Sequence, residues 1–113
     1  MSHHVKNADL VREIIKSKEK NELTPSALVM LLKMVKKIGG NFTYYDPMDR
    51  DDCEQAAVED ILKYWRGFKP ELSTNAFSYY TQLIKNGFAK GWKQLHKIKQ
   101  KDVVYMNSNI WSL

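Results

Sequence analysis

Six side chains in the last third of the chain, Tyr79, Gln82, Asn86, Lys90, Lys93 and Lys97, recur at intervals of three and four residues. At 100° per residue they fall within a sector of about 60° on one helix, and Phe77, Tyr80, Ile84, Phe88 and Leu95 fall on the other side. Such a mixture suits nucleic acid. Ammonium groups neutralise phosphates and amides hydrogen-bond base edges. An aromatic ring can stack on an unpaired base, which contributes roughly 1 to 3 kcal/mol. From Lys85 to Lys101 there are six lysines and no acid, so no carboxylate of the same segment offsets them. The plainer alternative is a solvated helix face, which the ordering of aromatic, amides and lysines disfavours.

Other chemistry is poorly represented. His3, His4 and His96 make no metal-binding spacing with Cys53, and no phosphate-cradling loop or nucleophile motif occurs. Neither an enzyme nor a cofactor is expected. Cys53 is the only cysteine, which excludes an internal disulfide, and its place in an apolar helical stripe predicts a buried thiol. The net charge is +5, but its distribution says more. Asp46 to Asp60 holds seven acids and one base, Arg50, opposite in character to the lysine-rich end. Two partners of opposite charge are implied.

Helices must position these groups. Leu10, Val11, Ile14 and Ile15 predict a first helix from about Ala8 to Lys20. Thr24-Pro25 reads as an N-cap and first turn. The second helix then buries Leu28, Leu31, Leu32, Val35 and Ile38 and stops at Gly39-Gly40. Asn41 to Met48 reads as an ordered loop, after which Asp46, Asp49 or Asp51 caps a third helix reaching about Arg66, ended by Gly67. Asn75 caps the fourth and longest helix, to about Ile98. Gly87 and Gly91, four apart within it, predict close packing of a neighbouring helix, and Trp65 and Trp92 read as core or core rim. A chain of 113 residues supports one core, and no apolar run approaches the ~18 residues of a membrane span. The first residues have no secretory signal pattern.

The segment from Asp52 to Phe88 resembles region 2 of bacterial sigma factors. In that family an acidic polymerase-docking helix leads into a Phe-Asp-Pro-Glu turn and then a helix whose aromatics capture an unpaired base of the −10 element. Asp52, Gln55 and Lys63 stand at matching positions, Phe68-Lys69-Pro70-Glu71 is similar to the turn, and Tyr79 falls on the base-stacking tyrosine. The likeness is closer to phage-encoded late-transcription sigma factors such as those of the T-even bacteriophages. Tyr79, Thr81, Gln82, Asn86 and Phe88 match their Tyr-x-Thr-Gln-x-x-x-Asn-x-Phe pattern, with Glu59, Lys63, Phe68 and Asn75 in register upstream. Gln82 and Leu83 stand where primary factors carry tryptophans, and Ala56 and Val58 replace polar docking residues.

The resemblance implies an all-α bundle of about four helices over residues 1–101, similar to sigma factor domain 2, followed by a C-terminal tail, 102–113. It implies docking on the largest-subunit coiled coil of bacterial RNA polymerase core through Asp52, Glu54, Gln55, Glu59 and Leu62. Tyr79, Gln82, Asn86, Lys90, Lys93 and Lys97 would then engage promoter DNA, recognising and helping to melt an AT-rich −10 element in the cytoplasm of an infected bacterial host. Recognition of a −35 element is not expected. Ile110, Trp111 and Leu113 leave two readings open. They form a tail for a sliding clamp or phage coactivator, or they pack on their own domain or stay disordered. The alternative function is a phage regulator that inhibits or retargets polymerase without reading DNA.

Overall fold

The computed structural model describes residues 5–42, 44 and 46–102, and of Pro47 and residues 97–102 it describes the backbone alone. Ile110, Trp111 and Leu113 lie outside the described residues. Over these residues the fold is all-α. Helix α1 spans Asn7–Lys20, α2 Pro25–Gly39, α3 Pro47–Tyr64 and α4 Ala76–Asp102, with a 3-10 turn at Trp65–Gly67. No helix among them is long and apolar enough to cross a membrane.

Each boundary has a local cause. Asn21 takes a left-handed conformation (φ 58°) and its N–H closes the last turn of α1 onto Ser17 and Lys18 carbonyls. Thr24 caps α2, its hydroxyl accepting the Ala27 N–H at 3.2 Å. The buried Ser17 hydroxyl accepts the Thr24 N–H at 3.0 Å and donates to the Glu13 carbonyl at 2.9 Å, which fixes the corner between the two helices. Asp46 caps α3 by accepting the Met48 N–H, so the helix begins inside the stretch expected to be loop. Asn75 caps α4 by accepting the Ser78 N–H. A second cap comes from far away in sequence. The Asn7 amide accepts the Phe77 N–H at 2.9 Å and donates to the Thr74 carbonyl at 2.7 Å, fastening α1 to the start of α4.

Helices α3 and α4 form an antiparallel pair at the centre. Ala57 lies against Gly87 and Cys53 against Gly91, and a Cβ on either glycine would run into α3 backbone. The two glycines thus serve close packing, as their spacing predicted. The core comprises Leu10 and Ile14 of α1, Leu31, Met34 and Val35 of α2, Cys53, Ala57 and Ile61 of α3, and Tyr80, Ile84, Phe88 and Trp92 of α4. Trp65 and Phe68 close it from the connecting turn.

The buried face of α2 differs from the expected stripe. Ala27, Leu31, Met34, Val35 and Gly39 are buried, whereas Leu28 and Ile38 are half-buried and Leu32 is exposed. The reason is steric. Gly39 sits under the Phe88 ring, where a Cβ would come within 2.9 Å of Cζ, and this approach turns the small residues of α2 inward. Helix α4 has 27 residues and a length of about 40 Å. It passes the expected end at Ile98, since Lys99, Gln100 and Lys101 are good helix formers and no glycine or proline intervenes.

Candidate nucleic-acid interface

The open side of α4 is built around two amides. Gln82 and Asn86 are exposed, one turn apart, and the Gln82 Nε2 donates to Asn86 Oδ1 at 2.9 Å. This bond orients the pair and leaves the Gln82 carbonyl oxygen and the Asn86 amino group facing outward, an acceptor beside a donor. Lys93 and Lys85 flank them and are exposed. The expected face therefore exists at Gln82, Asn86 and Lys93. The side chain of Lys97 lies outside what is described.

Two members of the expected face are placed otherwise. Tyr79 is half-buried rather than an open ring. Its edge meets Tyr80 at 5.0 Å between centroids, Phe68 lies 5.8 Å away, and its hydroxyl donates to the Tyr64 carbonyl at 3.2 Å. Burial raises its pKa. Helical angle alone put Tyr79 outside; the turn after α3 folds Phe68 against it, and Gly67 leaves room for the hydroxyl. Lys90 is exposed along its stem, but its Nζ lies 3.0 Å from the buried Asp60 carboxylate and 5.5 Å from the Tyr64 ring centroid. The hydrogen bond that Lys90 donates to Asp60 raises its pKa and ties its ammonium group to α3. On the opposite side Tyr80, Ile84 and Phe88 are buried as expected, Leu95 is half-buried, and Phe77 is exposed.

The acidic helix divides in the same way. Asp52, Gln55, Glu59 and Leu62 are exposed at spacings of three and four, so they share one face of α3. Asp52, Gln55 and Glu59 border a groove of about 300 Å³ whose other wall is Gly91, Gln94 and Leu95 of α4. Glu54 does not join them. It is buried, and its carboxylate accepts from Lys36 at 2.7 Å and from Arg50 at 3.0 Å, because its position on α3 points toward α2. Glu54 thus ties α2 to α3 instead of offering a docking charge.

A cavity of about 320 Å³ opens beside the amides. Phe42, Tyr44, Cys53, Lys85, Phe88, Ala89 and Trp92 line it together with Gln82 and Asn86. Tyr44 donates to the Gly39 carbonyl at 3.2 Å, and its pKa is pushed up to about 12, first by burial and then by nearby Cys53. The Cys53 thiol is buried and raised to about 11, again by burial first and then by Asp49, Asp52 and Glu54, which keeps it protonated and unreactive. Phe42, Tyr44 and Lys85 were absent from the sequence-derived site; the cluster of aromatics after Gly39-Gly40 was the signal. Among the described residues no group of three His, Cys, Asp or Glu side chains could hold a metal ion.

No family model, curated protein or solved structure matches this chain.

Proposed function

We propose that the protein is a phage-type sigma factor, which binds bacterial RNA polymerase core and directs initiation at promoters with an AT-rich −10 element. The observation that carries this reading is the sorting of free charge between the two central helices. Helix α3 turns Asp52, Gln55, Glu59 and Leu62 outward, whereas α4 turns out Gln82, Asn86 and Lys93 with no acid on its own length from Ala76 to Gln100. Opposite fields on neighbouring helices suit a bridge between a basic protein surface and a polyanion. In this mechanism Leu62 supplies apolar contact and Asp52 and Glu59 set orientation on the polymerase coiled coil. Lys93 and Lys85 hold phosphates, and the amide pair reads an exposed base edge. Pyrimidine–purine steps of an AT-rich element unstack at least cost, which limits the work of opening. Polymerase performs the chemistry.

One observation favours a second reading, a polymerase-binding regulator that does not read DNA. Tyr79 and Lys90 use their polar groups on Tyr64 and Asp60, which narrows the surface left for DNA. Run-off transcription with core polymerase separates the two. Promoter-specific transcripts with a defined 5′ end support the sigma reading. Polymerase binding with repression or no new start site would replace it with the regulator.

A further inference from the structure

The aromatic cavity beside α4 has a wall and a rim of different chemistry. Its wall is apolar, with the Phe42 and Phe88 rings 5.3 Å apart and tilted by 39°, and with Trp92 nearby along the helix. Its rim holds the Gln82–Asn86 amide pair and the Lys85 ammonium. Among the described residues no carboxylate lines it, and Lys93 lies exposed one turn beyond Ala89. The indole N–H of Trp92 is buried and has no acceptor among the described residues. A ligand matched to these features is planar and aromatic, hydrogen-bonds along one edge, and carries negative charge outside the pocket. The volume lies at the low end of the roughly 300 to 1,000 Å³ of small-molecule sites, which suits one ring system. Tyr79, half-buried against Phe68 and Tyr80 with its hydroxyl on the Tyr64 carbonyl, borders a separate, more open groove with Leu72, Asn75 and Ser78, which lacks the amide pair and the paired Phe42 and Phe88 rings.

We infer that this cavity receives an unpaired nucleobase of single-stranded DNA, with Phe42, Phe88 and Trp92 packing on the base, Gln82 and Asn86 engaging its edge, and Lys85 and Lys93 binding the flanking phosphates. The inference rests on the reading of α4 as a DNA-binding helix and names the place where that reading takes a base out of the stack. Phe42 and Tyr44 thereby join the site from the loop after α2, distant in sequence from the lysine-rich face.

The test uses the full chain without polymerase and two short fluorescein-labelled strands of equal length, one bearing bases and one wholly abasic. Fluorescence anisotropy should show the base-bearing strand bound roughly ten-fold more tightly, the effect of one well-stacked base. Ala89→Phe fills the cavity and should erase that preference while leaving affinity for the abasic strand unchanged. Lys85→Ala should weaken both strands alike and reduce the salt slope by about one. If Ala89→Phe lowers the thermal midpoint, Phe42→Leu takes its place, since it keeps bulk and removes the aromatic face. Retained base preference in the folded variant, or none in the unsubstituted protein, overturns the inference. Because polymerase is absent, a protein that keeps the base preference but gives no promoter-specific transcripts overturns the sigma reading alone.

Discussion

Gly87→Ala sets helix propensity against packing at the contact that aligns the two functional helices. In an open helix interior the exchange would stabilise by about 1 kcal/mol. Here the added Cβ would lie 2.5 Å from the Ala57 Cα and 3.1 Å from both its Cβ and its N. The obstruction is the α3 backbone, which cannot swing aside as a side-chain tip could. Restoring ordinary carbon contacts requires the helices to part by about 1 Å, weakening dispersion across the whole α3–α4 seam. Overpacking of this kind costs about 1–3 kcal/mol. Backbone obstruction places Gly87 at the upper end, so the net loss after the propensity gain is about 2 kcal/mol. For a domain of this size the thermal midpoint should fall by about 8 °C. Gly40→Ala is the control. Gly40 has φ −68° and ψ −15°, and its added Cβ would meet nothing nearer than 3.5 Å, so alanine there should stabilise by about 0.4–1 kcal/mol. Scanning calorimetry on both variants decides the matter. A rise for Gly87→Ala comparable to that for Gly40→Ala would refute the close approach of α3 and α4.

Glu54→Ala removes the acceptor for Lys36 and Arg50 and should cost about 1–2 kcal/mol in urea unfolding, discounted because both cations are partly solvated; core-polymerase affinity should stay unchanged. Glu59→Ala should do the reverse, sparing stability and weakening polymerase retention in a pull-down assay. Burial raises the folded pKa of Cys53 from 9.0 to about 11 and of Tyr44 from 10.0 to about 12, and that of Tyr80 as well. Their neutral forms are favoured in the fold, so the associated stability is complete below pH 9 and declines as pH rises from about 9 toward 12, when the unfolded chain releases protons first. Urea midpoints across that range should fall, and Tyr80→Phe should flatten the decline. Lys93→Ala should reduce the salt dependence of DNA binding by the polymerase complex by about one unit of slope; an unchanged slope removes Lys93 from the interface.

Features written in short-range chemistry were legible in the sequence. Thr24-Pro25, Asn75 and the pair Gly87 and Gly91 act through capping or close packing, and each does what its spacing predicted. Features that depend on which element folds over another were not. The Asn7 cap on α4 joins residues 70 apart, and an asparagine near a chain end carries no local mark of a distant role. Tyr79 shows the same limit. Helical angle fixes the direction in which a side chain leaves its own axis, but the Trp65–Gly67 turn decides whether Phe68 waits there. Phe42 and Tyr44 were visible only as a loop rich in aromatics, because a cavity is a property of three segments together.

The sorting of carboxylates on α3 explains why an acid-rich run can be both structural and outward-facing. Asp49, Glu54 and Asp60 are buried, whereas Asp51, Asp52 and Glu59 are exposed. Glu54 and Asp60 draw Lys36, Arg50 and Lys90 onto them. A buried carboxylate demands such partners, since leaving its charge unpaired costs several kcal/mol. The inward acids therefore use up cations that would otherwise lie beside the outward ones. Asp52 and Glu59 stay exposed on α3, with Lys63 one turn beyond Glu59, and Lys85 and Lys93 stay exposed on α4. Which carboxylates face inward depends on the rotation of α3 about its own axis. The close contacts of Cys53 with Gly91 and Ala57 with Gly87 fix that rotation. Packing in the dry seam thus determines which charges a partner can meet.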